Sequence, residues 1–250
     1  MSSPLAIVLA AGKGTRMNTE LPKVLVPARG RPLIEYVLQA LNQAGIARIL
    51  VVIGHQAAQV RQALGQHDVE FVEQHQQRGT GHAVQMCRPQ LCQHQGPVVI
   101  VTGDSPLLQS ESVRALLEEY WKDHPAAVLG TLHKSHPDGL GRIVRDDQQR
   151  FVAIVEERDA SEEQRQITEA NMSTYVFEPA ALLDSLERLQ DSNQKHEFYL
   201  TDCPGLLRAD GREVRVLPVL KPCEALSVNT REELTIVEQE MERLGFQCAN

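Results

Sequence analysis

The strongest constraint on this chain is a junction near its start. Leu5-Ala6-Ile7-Val8-Leu9-Ala10 is an unbroken apolar run that passes directly into Ala11-Gly12-Lys13-Gly14-Thr15-Arg16-Met17. An apolar run without alternation belongs to a strand covered on both faces, the habit of parallel sheets whose crossover helices lie above and below. Two glycines two residues apart leave no Cβ in the path of a ligand and let main-chain N–H groups point at one anion. Arg16 and Lys23 add positive charge to that turn, and Pro22 fixes the backbone that carries the lysine. A polyphosphate suits it better than a neutral ligand. The common phosphate loops do not match. A Walker loop has Lys and Ser/Thr after its last glycine, and the dinucleotide fingerprint has a small residue where Met17 stands.

The same strand-then-turn grammar recurs. Leu33, Ile34, Val37, Leu38 and Leu41 have helical spacing and end at Gly45; Ile49–Ile53 is a second buried strand, Gln56–Leu64 a short helix and Val69–Val72 a third strand. A second glycine turn, Gly79-Thr80-Gly81-His82, precedes Ala83, Val84 and Met86, which places it at a helix start with free N–H groups facing outward. Val98–Thr102 is the fourth core strand and runs into Gly103-Asp104-Ser105-Pro106; Val113–Trp121 is a helix and Ala126–Leu132 a strand. This alternation predicts an α/β fold with a Rossmann-like, doubly wound, mostly parallel sheet, and ligands bind such sheets beyond the carboxyl ends of the strands.

From Gly139 the pattern turns to a hairpin, Gly141–Val144 and Phe151–Glu156 around Asp146-Asp147-Gln148-Gln149. A charged stretch to Arg165, a strand at 169–177, a helix at 180–189, a strand at 213–219 and a closing helix at 232–244 complete the chain. With no repeat or linker, residues 1–250 read as one domain. About 1–135 is its nucleotide-binding half, about 136–230 a small β-rich sugar-side subdomain, and 231–250 a closing helix and tail.

Bulk properties exclude several classes. A net charge of -8 argues against a broad nucleic-acid surface, so basic residues belong in a pocket. No run approaches ~18 uninterrupted apolar residues, and Met1-Ser2-Ser3-Pro4 lacks a basic leader, so neither a membrane span nor a signal peptide is expected. Five cysteines without a CxxC spacing suit a reduced, cytoplasmic setting and no zinc site.

The ordered set Leu9-Ala10-Ala11-Gly12-x-Gly14-Thr15-Arg16-Met17, Leu21-Pro22-Lys23, Gln74, Gly79-Thr80-Gly81-His82-Ala83, Gly103-Asp104-x-Pro106-Leu107, Gly141-Arg142-Ile143, Asn171, Tyr199-Leu200-Thr201-Asp202 and Val228-Asn229 resembles the sugar-nucleotide pyrophosphorylases of the nucleotide-diphospho-sugar transferase type. Within that family it is most similar to the uridylyltransferase domain of the bacterial bifunctional enzymes that make UDP-N-acetylglucosamine, a peptidoglycan precursor. The resemblance implies Mg²⁺-dependent transfer of UMP from UTP to N-acetylglucosamine 1-phosphate with release of pyrophosphate. It implies that Leu9, Ala10, Ala11, Gly12, Gln74, Gly79 and Thr80 hold the uridine and that Gly14, Thr15, Arg16 and Lys23 hold the phosphates. It assigns Asp104 and Asn229 to the metal and Gly141, Glu156, Asn171 and Thr201 to the sugar phosphate, with Arg16, Lys23 and Asp104 as the catalytic set. The acetyltransferase half, a β-helix of hexapeptide repeats, has no counterpart in these residues, so no acetyl transfer is expected of them and a separate acetyltransferase is the candidate partner. Three positions depart from the family: Thr102 replaces a usual Tyr, Met172-Ser173 a Thr-Gly pair after the Asn, and Ser227 a Gly.

The chemistry needs no general base, because a sugar phosphate, with a second pKa near ~6, is already an anion at neutral pH. The barrier is electrostatic: two phosphoesters repel each other, and charge builds on the leaving pyrophosphate. Plainer readings stand beside these roles. Asp104 could cap a turn, Asn229 or Thr201 a helix, and Glu156 could be a surface carboxylate. Asn171 in an apolar strand needs a partner, since a buried unpaired amide costs ~1 to 3 kcal/mol. A nucleotidyltransferase for another sugar 1-phosphate or NTP, motivated by Thr102, Met172 and Ser173, and a catalytically silent sugar-nucleotide sensor are the alternatives.

Overall fold

The structure is a computed structural model that describes residues 2–12, 19 and 21–246. Gly14, Thr15 and Arg16, three of the expected phosphate-side residues, lie outside the described residues.

The first apolar run is strand β1 (Leu5–Ala10), at the centre of the main sheet. Its neighbours are the parallel strands β4 (Arg48–Ile53) and β6 (Val98–Thr102), and β5 (Glu70–Glu73) continues the parallel order beyond β4. The tiny ribbon β2 (Pro27–Ala28) and β3 (Arg31–Pro32) stands apart from it. On the other side of β6 lies β10 (Glu169–Phe177), antiparallel to both β6 and β7 (Ala127–His133), and β11 (Val214–Leu217) closes that edge parallel to β7. The order is β11-β7-β10-β6-β1-β4-β5, so the doubly wound, mostly parallel sheet is observed with one reversed strand. The hairpin β8 (Gly141–Arg145) and β9 (Phe151–Val155) hangs from the first residues of β10 through Asn171–Gly141 pairing. The sugar-side hairpin is thereby an extension of the sheet.

Why β1 had to be apolar throughout is visible in its packing. Leu5 and Ile7 face the layer built from α3 (Thr80–Gln85), α4 (Arg88–Leu91), α7 (Pro179–Glu187) and α8 (Asp202–Ala209), where Val84, Leu91, Leu182 and Leu207 are buried. Ala6 and Val8 face the opposite layer, in which α1 (Leu33–Gln43), α2 (Ala57–Ala63) and α5 (Ser110–Asp123) bury Leu38, Val60 and Leu116. The short α6 (Glu162–Arg165) carries a capping box, Ser161 with Gln164, in the charged stretch. The final helix α9 (Arg231–Arg243) buries Val237 and Met241 against Leu33 and Leu107. No helix among the described residues is long and apolar enough to cross a membrane.

One buried carboxylate positions the segment that leads to Asn229. Glu224 accepts from the Gln109 N–H at 3.1 Å, the Ser112 hydroxyl at 2.6 Å and the Lys221 N–H at 2.8 Å. It therefore clamps the turn at 222–225 to the start of α5. Burial raises its pKa, and the three donors oppose that shift.

Candidate active site

The carboxyl ends of β1 and β6 open into one depression, as a parallel sheet predicts. Lys23 enters it from a short 3-10 turn, Lys23–Leu25, whose Val24 and Leu25 are buried and whose entry residue Pro22 is extended. The Lys23 ammonium donates to Asp104 Oδ2 at 2.5 Å and to Asn229 Oδ1 at 2.7 Å. Asp104 follows β6 directly, and Asn229 precedes α9. The helix cap of α9 is Thr230, whose hydroxyl accepts from Glu233 N–H at 3.2 Å, so the capping reading of Asn229 is corrected. The Asn229 amide N–H donates to Ser227 Oγ at 3.1 Å, which turns its oxygen toward the lysine.

A cavity of about 660 Å³ lies to one side of this contact. Leu9, Ala10, Ala11, Gly12, Lys23, Gln74, Gly79 and Thr80 line it, together with Thr102 and Asp104. Every expected uridine-side residue is among these walls. Gln74 is buried, and its amide nitrogen donates to Gly79 O at 3.0 Å and meets His82 Nδ1 at 3.0 Å. Burial and the Arg78 charge hold His82 below the ordinary imidazole pKa, which favours the neutral ring that this contact requires. With its nitrogen engaged, Gln74 keeps a carbonyl oxygen for a ligand.

The second glycine turn serves a purpose different from the expected one. Gly81 N–H donates to Phe198 O at 2.8 Å, and Leu200 N–H donates to the Thr80 hydroxyl at 3.0 Å. The α3 start thus receives the chain at 197–200 rather than presenting all its N–H groups outward. A Cβ on Gly79 would lie 2.5 Å from Phe198 O.

The four expected sugar-side residues fall into two contacting pairs, of which Asn171 alone lines the second cavity. Gly141 pairs with Asn171 across β8 and β10, and the β8–β9 register, Arg142 opposite Val155, brings Glu156 beside Gly141. The Thr201 hydroxyl donates to Glu156 Oε1 at 3.0 Å, so it orients a carboxylate and does not cap α8. Asn171 is buried, and its side-chain oxygen accepts from Ser173 N–H at 3.3 Å. Ser173 has φ +53°, and the β10–β7 ladder shifts register between Asn171 and Thr174. That bulge re-aims the side chains, and its left-handed residue is where glycine is easiest. A second cavity, about 470 Å³, lies between the 138–140 loop, Met172–Ser173 and the 225–229 segment, and Thr102 and Asp104 belong to the walls of both.

Burial raises the Glu156 pKa, and burial with the neighbouring Glu156 and Asp159 charges pushes Asp202 up to about 6. A carboxyl whose folded pKa is raised destabilises the fold once it ionises. The unfolded chain releases this proton near 3.8 and the folded chain near 6, so the loss develops as pH rises through that window. Asp202→Asn is expected to melt higher than the unsubstituted protein at pH 7.5, with the gap shrinking by pH 4. Thermal melts at the two pH values check it, and an equal gap at both would contradict the assignment.

Residues 6–202 match the model of the MobA-like NTP transferase domain. The chain belongs to the MobA-like NTP transferase family. Curated proteins similar to this NTP transferase domain include one named bifunctional protein GlmU from Exiguobacterium sibiricum, 39% identical over 95% of this chain and 53% of the relative. Proteins of the same name from Streptococcus gordonii and Heliobacterium modesticaldum are 40% and 41% identical over 95% of this chain and 52% of theirs. The chain spans about half the length of these curated relatives. Sequence reasoning missed three supports of this NTP transferase site: His82 behind Gln74, Glu224 behind the Asn229 segment, and the 197–200 segment across Gly79. His82 had a signal in its place directly after the glycine turn and the 197–200 segment one in Tyr199-Leu200, whereas Glu224 had none. Among the described residues no group of three His, Cys, Asp or Glu side chains could hold a metal ion.

Proposed function

We propose that this NTP transferase domain transfers UMP from UTP to N-acetylglucosamine 1-phosphate, releasing pyrophosphate, with Mg²⁺ as its cofactor. The observation that carries the reading is the meeting of two cavities at Asp104, with Lys23 and Asn229 at the seam. A nucleotide in the first cavity and a sugar phosphate on the Asn171 side would bring a phosphate of each to that seam. An oxygen of the acceptor phosphate then bonds to the α-phosphorus, the bond from that phosphorus to the β-bridging oxygen breaks, and the oxygen leaves on pyrophosphate. Gln74 suits a uracil, whose N3–H can donate to the amide oxygen. Main-chain N–H groups at Gly12 and the loop that follows, with Arg16, would hold the triphosphate, and Gly141, Glu156, Asn171 and Thr201 would hold the sugar.

The residues fit a divalent cation: a carboxylate and an amide oxygen converge on one cationic point, the hard-donor set that Mg²⁺ takes beside phosphates and water. When bound, the ion supplies charge neutralisation for the approaching and departing phosphates. Asp104 and Asn229 would hold it, and Lys23 would face phosphate. On this reading an acetyltransferase acting on an amino-sugar phosphate must supply the acceptor.

A related acceptor is the second reading. It is favoured by the hydroxyls that line the second cavity: Ser173, Ser227 and the pair Thr102 and Ser105, whose oxygens lie 2.8 Å apart. Pyrophosphate release measured over a panel of NTPs and sugar 1-phosphates is expected to be fastest for UTP with N-acetylglucosamine 1-phosphate. A different preferred pair, or tight UDP-sugar binding with no pyrophosphate formed, would overturn the first reading.

A further inference from the structure

We propose that Lys23 is a tethered cation that occupies the metal's place between Asp104 and Asn229 until a nucleotide draws it away, so that metal and nucleotide binding are coupled. The ammonium lies 2.5 Å from Asp104 Oδ2 and 2.7 Å from Asn229 Oδ1. A divalent ion holding the same two oxygens needs distances of roughly 2.1 Å, which leaves no room for a second cation between them. The lysine must therefore swing out, and its reach is limited because the backbone beneath it is anchored by buried Val24 and Leu25. Lys23 also lines the first cavity, as does the Glu197 carboxylate, and the phosphates of a nucleotide bound there come within the lysine's reach. Without them the tethered ammonium stays close to the incoming ion, and like charges at close range repel. This inference rests on reading the first cavity as the nucleotide site. Asn229 is held for the exchange on both sides: its side-chain N–H donates to Ser227, and its main-chain N–H donates to Glu233 Oε2 at 2.5 Å. The coupling is reciprocal by linkage: whatever the nucleotide gains for the metal, the metal gains for the nucleotide.

The test is titration of the whole chain with Mn²⁺ alone, followed by the electron paramagnetic resonance of the free ion, for the unsubstituted protein and for Lys23→Met and Lys23→Gln. Removing the resident ammonium is expected to tighten nucleotide-free Mn²⁺ binding by about 10-fold, within the usual span of coupled sites. Adding Asp104→Ala to either variant should abolish the gain. Mn²⁺ affinity equal to or below that of the unsubstituted protein in whichever variant keeps a cooperative melt overturns the proposal, as does tightening that survives Asp104→Ala. A wrong donor or acceptor assignment leaves the nucleotide-free titration unchanged, so the two failures are told apart by the substrate panel.

Discussion

Asp104→Ala is expected to lower kcat by ~10²- to 10³-fold, the loss seen when one preorganised electrostatic group is removed from a developing charge. The reason lies in its position. Asp104 is the first charged side chain past the end of β6, it belongs to the walls of both cavities, and it holds the Lys23 ammonium at 2.5 Å. On the proposed reading truncation removes a charged metal ligand, and it frees the lysine from one of its two anchors. Asp104→Asn keeps an oxygen but loses the charge, so it should fall between the two. Pyrophosphate release at saturating substrates and Mg²⁺ is the measurement. Near-normal turnover of the alanine variant would remove Asp104 from the reaction and the metal assignment with it.

Gly79→Ala should cost about 2 to 6 kcal/mol of stability and raise KM for the nucleotide. Gly79 has φ +108° and ψ 175°, a region open to glycine alone, so any side chain there is strained by ~1 to 3 kcal/mol. The added Cβ would also lie 2.5 Å from Phe198 O and 2.9 Å from Glu197 Cβ, and overpacking of that kind adds typically ~1 to 3 kcal/mol. The displaced segment is the one whose Leu200 N–H meets Thr80, a wall of the first cavity. Urea unfolding gives the stability change, and initial rates against UTP give KM. A variant as stable as the unsubstituted protein would mean that the turn relaxes without the clash.

How much of this was legible beforehand depends on the kind of signal. β1, β4 and β6 announced themselves because a strand buried on both faces has no polar residue to spare. The sheet's reversal at β10 did not, since strand direction is set by connections and leaves no mark on composition. Asp104 and Lys23 were readable from the motifs around them, but their contact with each other was not. It is made across the fold, and a sequence shows charges without showing which neighbour answers them. Thr201 and Asn229 kept two readings for the same reason: a hydroxyl or amide before a helix looks identical whether it turns to the helix or to a carboxylate and an ammonium. Gly79 and Gly81 were read as a helix start with N–H groups facing outward because glycine spacing signals close approach without naming what approaches. At this site the approaching group is the chain itself, at 197–200.

Of the walls of the two cavities, Thr102 and Asp104 alone are common property. Gln74 and Thr80 line the first cavity and not the second, and Asn171 and Ser173 the second and not the first. With donor and acceptor divided between the cavities as proposed, such an architecture lets descent retune the preferred acceptor in small steps while the donor half stays under its own selection.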